Sequence, residues 1–233
     1  MGDHAKSRTA RRLGMRLALG AAWALAGPAP ALWAATAFQE SGGQVVMEAE
    51  RYDAKIPRSG HDWVLQTAQS GYAGSGYLTA LPNAGANINT GYTTTSPELV
   101  YNACFATPGT YSVWIRGAAA SGTEDSVHAG LDGMDPASAD RITGFSTSWA
   151  WKRATMDSDP ATVVVSAPGL HTIHLWMRED GVQVDKILLR TGTTSPSGTG
   201  PAESARGACG EPDTTAPVIT FTWPKDDDIL VAP

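Results

Sequence analysis

Cysteine is scarce in this chain, two residues in 233, and neither Cys104 nor Cys209 sits in a Cys/His spacing of ligand type. That excludes a structural zinc site, which needs four such ligands. Basic clusters are scarce as well. The formal net charge is -6, and outside the N-terminus no Lys/Arg cluster is interleaved with aromatics, so a phosphate-backbone partner is excluded. No apolar run reaches the roughly 20 residues that cross a bilayer, which argues against a stable membrane anchor. There is no Gly-x-Ser-x-Gly elbow, and the glycine-rich stretch Ser70–Tyr77 lacks the Lys-Ser/Thr of a phosphate loop.

The N-terminus carries His4, Lys6, Arg8, Arg11, Arg12 and Arg16, then an apolar run from Leu17 to Ala26. This is the layout of a secretory signal peptide over residues 1–37, with Ala35-Thr36-Ala37 or Ala29-Pro30-Ala31 as the small-x-small cleavage site. Export is therefore expected, to the periplasm or the extracellular medium. An oxidising setting would let Cys104 and Cys209 pair, and the sequence leaves both the paired and the free form open.

Residues 44–191 hold the pattern of a domain. Short alternating strands are expected at Gln44–Glu50, Glu98–Ala106, Thr110–Gly117, Ser126–Leu131, Thr162–Ser166 and across Ile173–Met177 and Val184–Leu189. Arg51–Gly76 reads as a loop-rich region. Turn signals punctuate the strands at Thr107-Pro108-Gly109, Asp132-Gly133, Ala167-Pro168-Gly169 and Glu179-Asp180-Gly181. With no convincing amphipathic helix beyond the signal, the fold class is all-β, an antiparallel β-sandwich. Residues 192–213 read as a flexible Thr/Gly/Ser/Pro linker, and residues 214–233 as the start of a truncated Ig-like module or a disordered tail.

Within that pattern one acid is out of place. Asp185 lies inside the apolar run Val184–Leu189, and a carboxylate there needs a partner or a metal. Glu48 and Glu50, one residue apart on an expected strand, point to one side and repel each other unless a cation lies between them. A small repeat also appears: Trp114-Ile115-Arg116 matches Trp176-Met177-Arg178. If the two strands share a sheet, Trp and Arg line one of its surfaces, by cation–π packing or as a binding patch.

The order of these features resembles the carbohydrate-binding modules of families 6 and 35. Val46-Met47-Glu48-Ala49-Glu50 opens the domain, Gly109–Arg116 runs through its middle and Val184-Asp185-Lys186-Ile187-Leu188-Leu189 closes it. A closer likeness is to the C-terminal domain of family 115 glycoside hydrolases, where a Trp-x-Arg-Glu-x-Gly stretch precedes the closing Asp-Lys-Ile. The resemblance covers about Val45 to Arg190. It implies a galactose-binding-like jelly roll, and a structural calcium held by Glu48, Glu50 and Asp185 with carbonyls from the Gly71–Gly74 loop. It also implies a sugar site in loops at one end, for which Trp149, Trp151, Tyr92, Asn87, Glu124, Arg178 and Glu179 are the candidates.

Two functions follow, both secreted, monomeric and non-catalytic. One is a module that targets a polysaccharide or oligosaccharide, uronic acids being favoured if the site is rich in arginine. The other is an architectural β-sandwich that accompanies a glycoside-hydrolase-like protein and binds no sugar. Tryptophans turned inward would favour the second. A hydrolase fits less well: His171 and His174 fall on opposite strand faces, and Glu124, Asp125, Asp132 and Asp135 form a glycosidase pair only if folding sets two of them at a suitable separation.

Overall fold

The computed structural model describes residues 36–210. It contains β1 (Thr36–Gln39), β2 (Gln44–Glu48), β3 (Ala54–Ile56), β4 (Asp62–Gln66), β5 (Tyr77–Leu81), β6 (Glu98–Phe105) and β7 (Gly109–Ala118). There follow β8 (Val127–Leu131), β9 (Ala150–Lys152), β10 (Thr162–Val165), β11 (Gly169–Met177), β12 (Gln183–Arg190) and β13 (Arg206–Ala208), with one single-turn helix, α1 (Tyr92–Thr95). No helix among the described residues is long and apolar enough to cross a membrane.

The strands form two sheets. The first runs β13-β1-β6-β11-β8, with β3 also paired to β6; the second runs β10-β7-β12-β5-β4, with β2 paired to β12 and β9 to β7. Pairing is antiparallel except between β1 and β6. The expected sandwich is therefore present. Alternation sets the core: Leu99, Tyr101, Ala103 and Phe105 of β6 and Ile173, Leu175 and Met177 of β11 face Tyr111, Val113 and Ile115 of β7 and Val184, Ile187 and Leu189 of β12. The Asp132-Gly133 signal is a hairpin turn with both residues at positive φ, 53° and 73°.

Four expectations change. Arg51–Gly76 is not loop throughout, since it supplies β3 and β4. Strand β2 stops at Glu48, and Glu50 lies in a one-turn 3-10 helix, Ala49–Arg51, rather than on the same strand. Removing residues 1–37 would cut into β1, where Ala37 is fully buried, so cleavage after Ala31 is the alternative that leaves the strand whole.

The largest change concerns the expected linker. After β12 the chain lies back across the outer face of the second sheet: Ser204 exchanges two hydrogen bonds with the Val46 backbone, and the Gly198 and Pro201 carbonyls accept from Arg116 and Lys186. It then adds β13 to β1, and Cys209 is disulfide-bonded to Cys104 of β6. Residues 192–210 thus belong to the domain as a strap. The expected module at 214–233 and the signal segment before residue 36 lie outside the described residues.

Candidate functional site

The expected site residues gather in two separate places. The first is the outer face of the second sheet, under the strap and the loop between β4 and β5. Register breaks in β12 between Val184 and Lys186, so Asp185 is the extra residue of a β-bulge. The bulge lets Asp185 and Lys186 both reach this face, where Glu48, Lys186 and Arg116 stand in register across β2, β12 and β7. Asp185 is 0% exposed, and its Oδ2 accepts from Arg116 Nη1 at 2.5 Å while Oδ1 accepts from the Ala73 N–H at 2.7 Å. Burial still pushes its carboxyl above the usual range, against the pull of Arg116.

Arg116 is fully engaged. Its Nε donates to the Gly198 carbonyl at 3.0 Å and its Nη2 to the Gly71 carbonyl at 2.9 Å, with Trp149 beside the guanidinium. Lys186 pairs with Glu48 Oε1 at 2.7 Å. Glu50 Oε1 accepts from the Ser75 N–H and hydroxyl. The partner of Asp185 is therefore an arginine, and no group of three or more His, Cys, Asp or Glu among the described residues is arranged to hold a metal. Two buried carboxylate oxygens nevertheless have no partner, Glu48 Oε2 and Glu50 Oε2. Their side chains lie together against Gly74, at whose position a Cβ would strike Glu50. Burial raises the Glu48 carboxyl, and the nearby Glu50 and Asp185 add to that. Each oxygen of Asp185 already accepts a bond, so Glu48 Oε2 and Glu50 Oε2 are the two carboxylate oxygens on this face without one.

Trp149 and Trp151 also belong here. Trp149 Nε1 donates to the Ser70 carbonyl and packs against Tyr77, while Trp151 Nε1 donates to the Gly198 carbonyl with Gly200 against its ring. Both are half-buried clamps, one on the β4–β5 loop and one on the strap.

The second place is the end of the sandwich where β11 turns into β12. Arg178 and Glu179 are buried and paired at 2.8 Å. Arg178 Nε donates to Asn89 Oδ1 at 2.9 Å and Nη1 to Ser126 Oγ at 2.7 Å. Glu179 accepts from the Asn87 amide, the Asp125 N–H and the Ser126 hydroxyl. Asp180 accepts from the Ala84 and Gly85 N–H groups and from His61 Nε2. This network ties the segment 82–91 and the β7–β8 loop to the β11–β12 turn. Glu124 Oε1 takes the Asn83 amide at 2.8 Å, while its Oε2 is buried without a partner. At Gly181, φ 79°, a Cβ would come within 2.6 Å of Asn83 Nδ2, so only glycine lets Asn83 and Glu124 close over the turn.

Asn87, Glu124, Arg178 and Glu179 thus come together; the three aromatic candidates do not join them. Tyr92 is buried and stacked on His128, ring centroids 3.7 Å apart. Its hydroxyl is pushed up to about 12 by burial. His128 is itself buried and pushed down to about 4, with Nε2 against the Ile88 carbonyl and Nδ1 accepting the Arg141 N–H. Asn83, Asn89 and Ser126 join the site without being among the candidates; the two asparagines lie in a polar loop, and Ser126 reads in the sequence as the first residue of a strand. The two Trp-x-Arg strands lie in different sheets, so no shared Trp/Arg surface exists. Of the carboxylates weighed for a glycosidase pair, Asp132 bonds His171 at 2.7 Å and Asp125 caps Thr143 and Gly144.

Residues 37–203 match the family described as the glycosyl hydrolase family 115 C-terminal domain. The chain is similar to an uncharacterized protein, P23, of Formosa agariphila, 26% identical over 193 residues, which is 66% of this chain and 45% of that protein. It therefore spans under half the length of that curated relative. Among solved structures it is similar to a family 35 carbohydrate-binding module from Paenibacillus barcinonensis, 22% identical, covering 64% of this chain and 99% of that one at a TM-score of 0.46. A family 35 module from Clostridium thermocellum is 15% identical, with 63% and 96% covered and a TM-score of 0.45.

Proposed function

The chain belongs to the glycosyl hydrolase family 115 C-terminal domain family, and from that premise we propose that it is an exported, monomeric, non-catalytic module that binds polysaccharide at the β11–β12 end. The observation that carries the reading is the convergence of three loops on Asn83, Asn87, Asn89 and Glu124, with a buried acceptor, Glu124 Oε2, left without a donor. Amides and carboxylates are the groups that read sugar hydroxyls, and a buried acceptor without a donor is costly. Arg178 and Glu179 serve as the frame that holds these loops. Calcium belongs to the proposal as a staple on the other face, held through Glu48 and Glu50; when bound it would satisfy their two free oxygens and tie β2 to the β4–β5 loop.

The inward set of Trp149 and Trp151 favours the architectural reading, because neither ring is held at the β11–β12 end where a sugar could stack on it. A screen of neutral and acidic polysaccharides by affinity electrophoresis separates the two. Retardation by at least one polymer, weakened by Asn87→Ala, is expected for a binding module; silence across the panel would leave the architectural reading standing.

A further inference from the structure

We infer that the β11–β12 end takes neutral, hydroxyl-donating sugars and discriminates against uronates, an inference that rests on reading this end as the polysaccharide site. An arginine at a sugar site favours uronic acids only if it can grip a carboxylate with two parallel N–H groups. Arg178 cannot. A two-point grip uses Nη1 with Nη2 or Nε with Nη2, and both Nε and Nη1 are already given, to Asn89 on one side and to Ser126 and Glu179 on the other.

The charge around it has the wrong sign for an acidic ligand. Glu124, Glu179 and Asp180 bring three carboxylates to this end, against the Arg178 guanidinium paired with Glu179 and the His61 imidazole that bonds Asp180. A uronate would meet like charge in a partly dehydrated site, where repulsion is screened less than in water. Hydrogen-bond polarity points the same way. The unfilled group is an acceptor, Glu124 Oε2, buried beside the close approach of Asn83 and Gly181. A sugar hydroxyl that displaces the exposed Asn83 side chain can donate to it, whereas an ionised carboxylate has no proton to donate.

The test uses the full chain and matched polymers: galactan against polygalacturonic acid, xylan against glucuronoxylan, and mannan against polymannuronic acid. Binding is compared at low and high salt for the native protein and Glu124→Gln. The expected result is a neutral polymer bound about tenfold or more tighter than its uronic partner at low salt, with the gap closing as salt rises. Glu124→Gln should narrow the gap from both sides, weakening the neutral ligand and strengthening the acidic one, at an unchanged melting temperature. A uronic polymer bound as tightly as its neutral partner, or tighter, overturns the selectivity and leaves the polysaccharide reading intact. No binding to any polymer overturns both.

Discussion

Arg116 and Arg178 begin from the same local pattern, a Trp two residues before an Arg on a strand, and end in opposite surroundings. Arg116 in β7 is closed in on every side: Asp185 from the neighbouring strand, the β4–β5 loop through Gly71 and the strap through Gly198 take all three of its nitrogens. Arg178, just past β11 and about as buried as Arg116, is held by the exposed Asn89 and the buried Ser126 and Glu179 through Nε and Nη1 alone, with Glu124 Oε2 beside them lacking a donor. The tryptophans differ in the same way. Trp114 is covered by Arg153, 4.8 Å from its ring, while Trp176 lies beneath Tyr92 and His174. One arginine locks two chain segments onto a sheet; the other frames a site. An arginine whose three nitrogens are all taken marks a staple, and one that gives only Nε and Nη1 to the loops around it marks a frame.

The sharpest way to break this comparison is to remove each arginine in turn. Arg116→Met leaves Asp185 charged and buried, and should cost about 3–5 kcal/mol in urea unfolding; Arg116→Met with Asp185→Leu should recover more than half of that. Arg178→Met should cost less, on the order of 1–2 kcal/mol, because Glu179 keeps the Asn87, Asp125 and Ser126 donors while Asp185 keeps only the Ala73 N–H. Equal losses would erase the distinction. Calcium would sharpen it from the other side: at a hundredfold excess over its Kd, binding at Glu48 and Glu50 should add about 3 kcal/mol, lost on chelation and absent in Glu50→Gln. Equal melting with and without chelator contradicts the cation staple.

Acid should act on the loop end through His128. Unfolded, the imidazole takes its proton near 6.5; folded, only near 4, because burial disfavours the charged form. Between those values the unfolded chain binds more protons, so stability should rise with pH from about 4 to 6.5, by on the order of 3 kcal/mol, and then flatten. The His128→Gln variant should lose that slope; an unchanged slope would place the acid sensitivity elsewhere.

The architecture was legible because it depends on local pattern. Alternation in Thr110–Gly117 and Val184–Leu189 and the Asp132-Gly133 turn need no tertiary information, and each appears as β7, β12 and a hairpin turn. The misplaced acid was also legible, but its partner was not: Arg116 meets Asp185 only because a one-residue bulge turns Asp185 outward. The strap was hidden by composition. Its Thr, Gly, Ser and Pro residues bind mostly through backbone carbonyls, Gly198 and Pro201 among them, which any sequence offers. Trp149 and Trp151 misled for a related reason: a half-buried indole that donates to a carbonyl has the same sequence signature as one that stacks on a sugar.

The account turns on which of the two regions meets ligand, and affinity electrophoresis of the Glu124→Ala and Trp151→Ala variants in whichever polysaccharide retards the native chain tests that most directly. Retardation lost with Glu124→Ala and kept with Trp151→Ala is the predicted result. Retardation kept with Glu124→Ala and lost with Trp151→Ala, at matched folding, would move the site to the strapped sheet face and contradict it.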